Sequence, residues 1–93
     1  MTIGVLKLFL LIQESNSLET KRMVLQSLKV RLRNNFNVAL TQIDDGDKWQ
    51  RAALAVVGVG KESSNVNSQL SNVVNFVERC KSVDLIDYVI ELI

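Results

Sequence analysis

The sequence contains no histidine, no proline and a single cysteine, and its aromatic residues are one Trp, one Tyr and three Phe. Without histidine the commonest general base is missing. One cysteine excludes an internal disulfide, and one cysteine with no histidine leaves no zinc site of the usual ligand types. Charge of one sign is lacking too: 11 Lys+Arg stand against 10 Asp+Glu, a net charge of +1. Such a chain has no global electrostatic pull toward nucleic acid or an anionic membrane. No long apolar run exists either. The most apolar stretch, Ile3 to Ile12, carries Lys7 in its middle and is too short to span about 30 Å of hydrocarbon as a helix. No basic segment precedes it and no small-residue cleavage site follows, so the expected compartment is the cytoplasm and no membrane association is expected.

What is present is ordinary globular material. The chain of 93 residues is 47% hydrophobic and 23% charged, which suits one domain, residues 1–93, with one modest core. Along Ile3–Ile12, Leu6, Leu8, Leu10 and Ile12 share one face of an extended segment. Ile3, Val5, Lys7, Phe9 and Leu11 share the other, so the segment reads as a central strand with a dry face and a less dry one. Gln13-Glu14-Ser15-Asn16-Ser17 interrupts it. Ser17 can cap a helix whose first turn holds Glu19. From Leu18 to Asn34 the period changes to 3.6, with Leu18, Val24, Leu25, Leu28, Leu32 and Phe36 within a sector of about 120°. Asn34-Asn35 offers a left-handed stop.

Asn37–Ile43 and Trp49–Val59 read as two strands joined by Asp44-Asp45-Gly46-Asp47, an economical hairpin. Gly58 and Gly60 close the second of them. Ser63 or Ser64 can cap a second helix running to about Arg79 with the stripe Val66, Leu70, Val73, Val74 and Val77. Val83–Ile93 ends the chain as a strand with Ile86, Tyr88, Ile90 and Leu92 facing inward. The order β-α-β-β-α-β predicts an α+β, ferredoxin-like fold: a four-stranded antiparallel sheet of order 4-1-3-2 with both helices on one face.

Several motifs invite chemistry and fall short of it. Gly58-Val59-Gly60-Lys61-Glu62-Ser63-Ser64 has glycines, a lysine and serines before a helix, but the spacing is not that of a P-loop. Asp44, Asp45 and Asp47 lack the alternation and the distant Glu of a calcium loop. Cys80 has only Arg79 and Lys81 to lower its pKa and reads as a small buried residue. No Asp, Glu, Lys or Tyr88 pair has telling spacing. The expectation is a chain without catalytic residues, cofactor or metal.

Three surfaces remain. Lys21, Arg22, Lys29, Arg31 and Arg33 place five positive charges on the first helix, with Glu19 its only acid. Arg22, Lys29 and Arg33 fall within about 40° of one another. With Arg31 they are the candidate contacts for a phosphate backbone. The outer sheet face is expected to carry Val5, Phe9, Ala53, Ala55, Val57 and Val89, with Lys7, Asp87 and Glu91 among them, a candidate surface for a homo-oligomer or a protein partner. Met23 and Val30 form a smaller outer patch on the first helix. Trp49, Gln50 and Arg51 make a candidate hairpin site for a small ligand, with Arg51 expected to pair with Asp44 or Asp47.

Four segments taken in order carry a resemblance: Ile3-Gly4-Val5-Leu6, Ser17-Leu18-Glu19-Thr20-Lys21-Arg22, Arg31-Leu32-Arg33-Asn34-Asn35-Phe36-Asn37-Val38 and Trp49-Gln50-Arg51-Ala52. Together they resemble the YlxP-like family, a small bacterial family of unknown function, over essentially the whole chain. The resemblance implies a ferredoxin-like fold. It also suggests a link to translation, since genes of the family often neighbour those for an initiation factor and a ribosome-binding factor. Ribosomal RNA or a ribosome-bound protein is then the expected partner. The family brings no catalytic residues to this chain.

Overall fold

The computed structural model describes residues 1–13, 16–44, 48 and 50–93. Six elements follow in order: β1 (Thr2–Ile12), α1 (Leu18–Asn35), β2 (Ala39–Gln42), β3 (Arg51–Gly60), α2 (Ser63–Glu78) and β4 (Val83–Leu92). The strands form one antiparallel sheet in the order β2-β3-β1-β4. This is the 4-1-3-2 arrangement expected from the element order, so the fold is α+β and ferredoxin-like. Both hairpin strands are shorter or shifted at their ends: β2 begins two residues later than the alternation suggests, and β3 runs on to Gly60.

The alternation along β1 sorts as its side chains demand. Leu6, Leu8, Leu10 and Ile12 are buried under the helices. Opposite them on β3 lie Val56, Leu54 and Ala52. Leu25, Leu28 and Leu32 of α1 and Val66, Leu70, Val73, Val74 and Val77 of α2 close this core from above. Ser17 caps α1, its Oγ accepting from the Thr20 N–H at 3.1 Å. The end of α1 differs from the expected left-handed stop. The chain turns extended at Phe36 (φ −137°), whose N–H still donates to Leu32 O, while Asn35 Nδ2 donates to Arg31 O. The cap of α2 also differs: Glu62, not Ser63 or Ser64, occupies it, with no side-chain hydrogen bond.

Leu18 is a correction, since 41% of it is exposed. The buried face of α1 is centred on Lys21, Leu25, Leu28 and Leu32. At 100° per residue Lys21 falls in the middle of that arc and Leu18 at its margin.

β4 departs from simple alternation. A bulge where Phe9 and Leu10 pair with it shifts the register, so that Leu10 faces Leu85 while Phe9 faces Asp87. The extra residue, Ile86, leaves the inner row and shares a hollow with Phe9, Ala53 and Arg51. Val83 and Leu85 therefore reach the core on one side of the bulge and Ile90 on the other. Tyr88, Ile90 and Leu92 keep the expected inward side, opposite Leu8, Leu6 and Gly4, but Tyr88 and Leu92 remain nearly half exposed on this edge strand. A single inserted residue flips the parity of every position beyond it.

Gly4 and Gly58 face each other across β1 and β3 on the helix side. They make a trough for the start of α2. A Cβ on Gly4 would stand 2.5 Å from Val66 Cγ1 and 2.7 Å from Leu70 Cδ1; one on Gly58 would meet the Gln69 Oε1 at 2.5 Å. The valine methyl is held by a stiff β-branched side chain, whereas the glutamine end can swing away. Gly4→Ala is therefore expected to destabilise by about 1–3 kcal/mol through overpacking. Gly58→Ala should cost less, mainly the Gln69 Nε2 to Asn37 O hydrogen bond (3.2 Å). Urea unfolding of the two variants checks the order, with Gly4→Ala the less stable.

Candidate functional site

The helix α1 has two flanks, because its buried arc holds one side against the sheet. On one flank Arg22, Gln26, Lys29 and Arg33 follow one another at spacings of four, three and four, which stack on one helical face. A shallow groove of about 200 Å³ runs along this flank, lined by Arg22, Gln26, Lys29 and, from β2, Gln42. Arg33 leans toward the same strand, its Nη2 3.5 Å from Leu40 O. The groove thus combines the exposed Arg22 and the half-buried Lys29 with two amide side chains, and Arg33 follows one turn further along the same face.

Arg31 sits on the other flank, nine residues and half a turn from Arg22. Its guanidinium lies over the Phe76 ring of α2, 5.2 Å from the centroid, and Phe76 meets Phe36 edge-on at 5.7 Å. Arg31 stays exposed and lies outside the β2 groove, though it and Arg22 both border the shallow hollow over Met23 and Val30. Between the flanks, Met23 (66% exposed) and Val30 form the apolar crest of the helix.

Lys21 is the largest departure from the reading of a basic surface. It is buried, and its Nζ donates to Asp44 Oδ2 at 2.9 Å and to Lys48 O at 2.8 Å. Asp44 is engaged on its other oxygen as well, accepting the Ala53 N–H at 2.9 Å, while Gln42 Nε2 donates to Oδ2 at 3.1 Å. Burial pushes the Asp44 carboxyl up; the Ala53 N–H, the Lys21 ammonium and the Gln42 amide pull it further down, and the net pKa lies below the ordinary value. The cluster ties the first turn of α1 to the start of the β2–β3 connection, which sets where Arg22 stands relative to Gln42. The expected assignment of Asp44 to Arg51 gives way to this arrangement. The helical-wheel angle of Lys21 was the signal for it. A lysine in the centre of an apolar arc needs a buried acid.

The open sheet face assembles as the alternation implies. Val5 pairs with Val57, Lys7 with Ala55 and Phe9 with Ala53; on the other side Lys7 pairs with Val89, Phe9 with Asp87 and Val5 with Glu91. Neither α1 nor α2 covers this face; both pack on the opposite one. Val57, Val59 and Val89 are each more than a third exposed.

The remaining candidates are buried, placed only in part or outside the described residues. Cys80 is buried and its thiol donates to Phe76 O at 3.4 Å. Among the described residues no three Cys, Asp or Glu side chains gather as a metal site, and no helix is long and apolar enough to cross a membrane. Trp49, Asp45, Gly46 and Asp47, with Glu14 and Ser15, lie outside the described residues. Of the hairpin site, then, only Gln50 and Arg51 are placed, and Arg51 borders a hollow of about 250 Å³ with Phe9 and Ile86 on the open face.

A family model described as "Protein of unknown function (DUF503)" matches residues 3–90. Among curated proteins the chain is similar to "Uncharacterized protein YlxP" of Bacillus subtilis (strain 168), 28% identical over 82 residues, which cover 88% of this chain and 89% of that protein.

Proposed function

This chain belongs to the DUF503 family, and we propose that it is a non-enzymatic binding module that contacts the phosphate backbone of structured RNA, such as ribosomal RNA. The observation that carries this reading is the α1 flank. Arg22 and Lys29 line a groove shared with β2, Arg33 follows them on the same helical face with its guanidinium near Leu40 O, and the helix has Glu19 as its only acid. Cations spaced along one helical face can track successive phosphates, while Gln26 and Gln42 can donate hydrogen bonds to phosphate or ribose oxygens. Base stacking has no part in this reading. The open sheet carries Phe9 but not the aromatic set that stacks bases in sheet-based RNA readers.

Co-sedimentation of the purified protein with ribosomal particles and with total RNA, at about 50 and about 300 mM salt, tests the proposal. Three phosphate contacts should give a slope of log K against log salt of roughly −2 to −3. Binding that vanishes at high salt supports the phosphate-contact reading. Binding indifferent to salt, or absent at both, sinks it.

A further inference from the structure

We propose that the open sheet face is the interface of a homodimer, with the two sheets packed face to face. The dyad would run parallel to the strands, between β1 and β3. The register supplies the reason. The β1 column of this face is large, Val5, Lys7 and Phe9, while the β3 column opposite Lys7 and Phe9 is small, Ala55 and Ala53. A dyad between these two strands carries each β1 onto the other copy's β3. Phe9 then lies over the second copy's row of Ala53, itself only 9% exposed beside its own Phe9 and Ile86, so that the two Phe9 and Ile86 side chains meet there; Lys7 lies over the second copy's Ala55, and Val5 meets its Val57. One surface is therefore complementary to itself, as a two-fold interface requires. Aligned sheets cross at about 30°, so the fit is closest in these central rows.

The area is sufficient. β1, β3 and β4 each extend about 33 Å and the four-residue β2 about 13 Å, at about 4.8 Å spacing. The face thus offers roughly 540 Å² per copy, or about 1,100 Å² in all, just above the roughly 1,000 Å² a specific interface should clear. Its charges are placed for such a contact. Asp87 and Glu91, the cross-strand partners of Phe9 and Val5 on β4, flank Lys7 diagonally. They can draw its ammonium toward the rim of the interface while its stem stays inside. The outermost row, where Leu11 pairs with Arg51 on one side and Asp84 on the other, brings each Arg51 over the partner's Leu11 and toward the partner's Asp84. Two lysines near the dyad are the one unfavourable element. In the assembled dimer the helices point outward, so the two α1 grooves lie on opposite sides of the particle, available to separate RNA segments.

The test is the mass in solution by light scattering and sedimentation over about 1–200 μM, with circular dichroism reporting the fold. The expected mass is twice the 10.5 kDa of the chain. Ala55→Arg puts bulk and like charge against both lysines and should raise the dissociation constant by 30-fold or more, roughly the effect of losing a central contact. Val57→Arg, at a more exposed position, should act in the same direction and decides the matter should Ala55→Arg not fold. Lys7→Leu removes the charge near the dyad and should tighten the dimer by about tenfold. A wild-type mass of 10.5 kDa over the whole range overturns the proposal. So does a dimer that survives a folded Arg variant, or one that Lys7→Leu weakens.

Discussion

Asp44→Ala should unfold at markedly lower denaturant than the wild type, by about 3–5 kcal/mol, the usual effect of stranding a buried charge. The side chain of Lys21 is only 3% exposed and that of Asp44 16%. Removing Asp44 leaves the ammonium with the Lys48 carbonyl as its remaining named partner and takes the acceptor from the Ala53 N–H. Lys21→Met alone should cost less. The carboxylate keeps the Ala53 and Gln42 donors and is nearer to water. Lys21→Met combined with Asp44→Asn should recover most of the loss, because the amide oxygen still accepts from Ala53 and neither charge remains. Urea unfolding of the three variants separates these cases, and a double variant no better than Asp44→Ala would show that the pair is not what the alanine disrupts.

The same pair predicts a pH dependence. The folded-state pKa of Asp44 is depressed, so its ionised form is favoured by folding. That stability is fully present above the unfolded value of about 3.9 and is lost as pH falls through the lower folded value. The stability gap between wild type and the Lys21→Met, Asp44→Asn double variant should therefore shift against the wild type below about pH 4, and stay constant from about pH 5 to 8. A gap that does not move in acid would mean the carboxylate gains nothing on folding.

Reversing Arg22, Lys29 and Arg33 together to Glu should weaken RNA binding by about 100-fold or more at about 50 mM salt, since three attractive contacts become repulsive ones. The salt slope should fall by about 2–3. The fold should survive, because Arg22 and Arg33 are exposed and Lys29 is half-buried, and surface changes of this kind usually stay within about 0.5 kcal/mol each. Arg31→Ala is the contrasting variant. It breaks the guanidinium stack on Phe76, at about 0.5–1 kcal/mol of stability, and should leave the salt slope where it was. If Arg31→Ala flattens the slope and the triple variant does not, the phosphate contacts lie on the opposite flank of α1.

The difference between these two arginine sets shows how far one-dimensional reading carries. The angles alone place Arg31 about 180° from Arg22, yet both count as positive charges on one helix until α2 is in position. Phe76, 45 residues further along the chain, decides what Arg31 does. Lys21 follows the same logic. Its wheel position already lies inside the apolar arc, but the residue that makes burial tolerable, Asp44, is 23 positions away. Only the closed fold brings the two within 2.9 Å.

By itself the sequence determined the element order, the strand order and the partition of the sheet into a dry face and an open one. These follow from local periodicity and from the handedness of the two crossovers, which do not depend on side-chain detail. The residues Val5, Phe9, Ala53, Ala55 and Val57 were legible on the open face because β1 and β3 keep an unbroken period of two, and Val89 because β4 keeps the expected phase on its side of the bulge. The phase of β4 on the other side was decided in the tertiary structure, where the bulge opposite Phe9 and Leu10 turns Ile86 out and brings Val83 and Leu85 in. A bulge answers to how two strands seat against a common core, and no periodicity within one strand encodes it. The split of α1 into a groove-lining flank and an α2-packed flank was decided there too, because a helix face acquires its role from what packs against it.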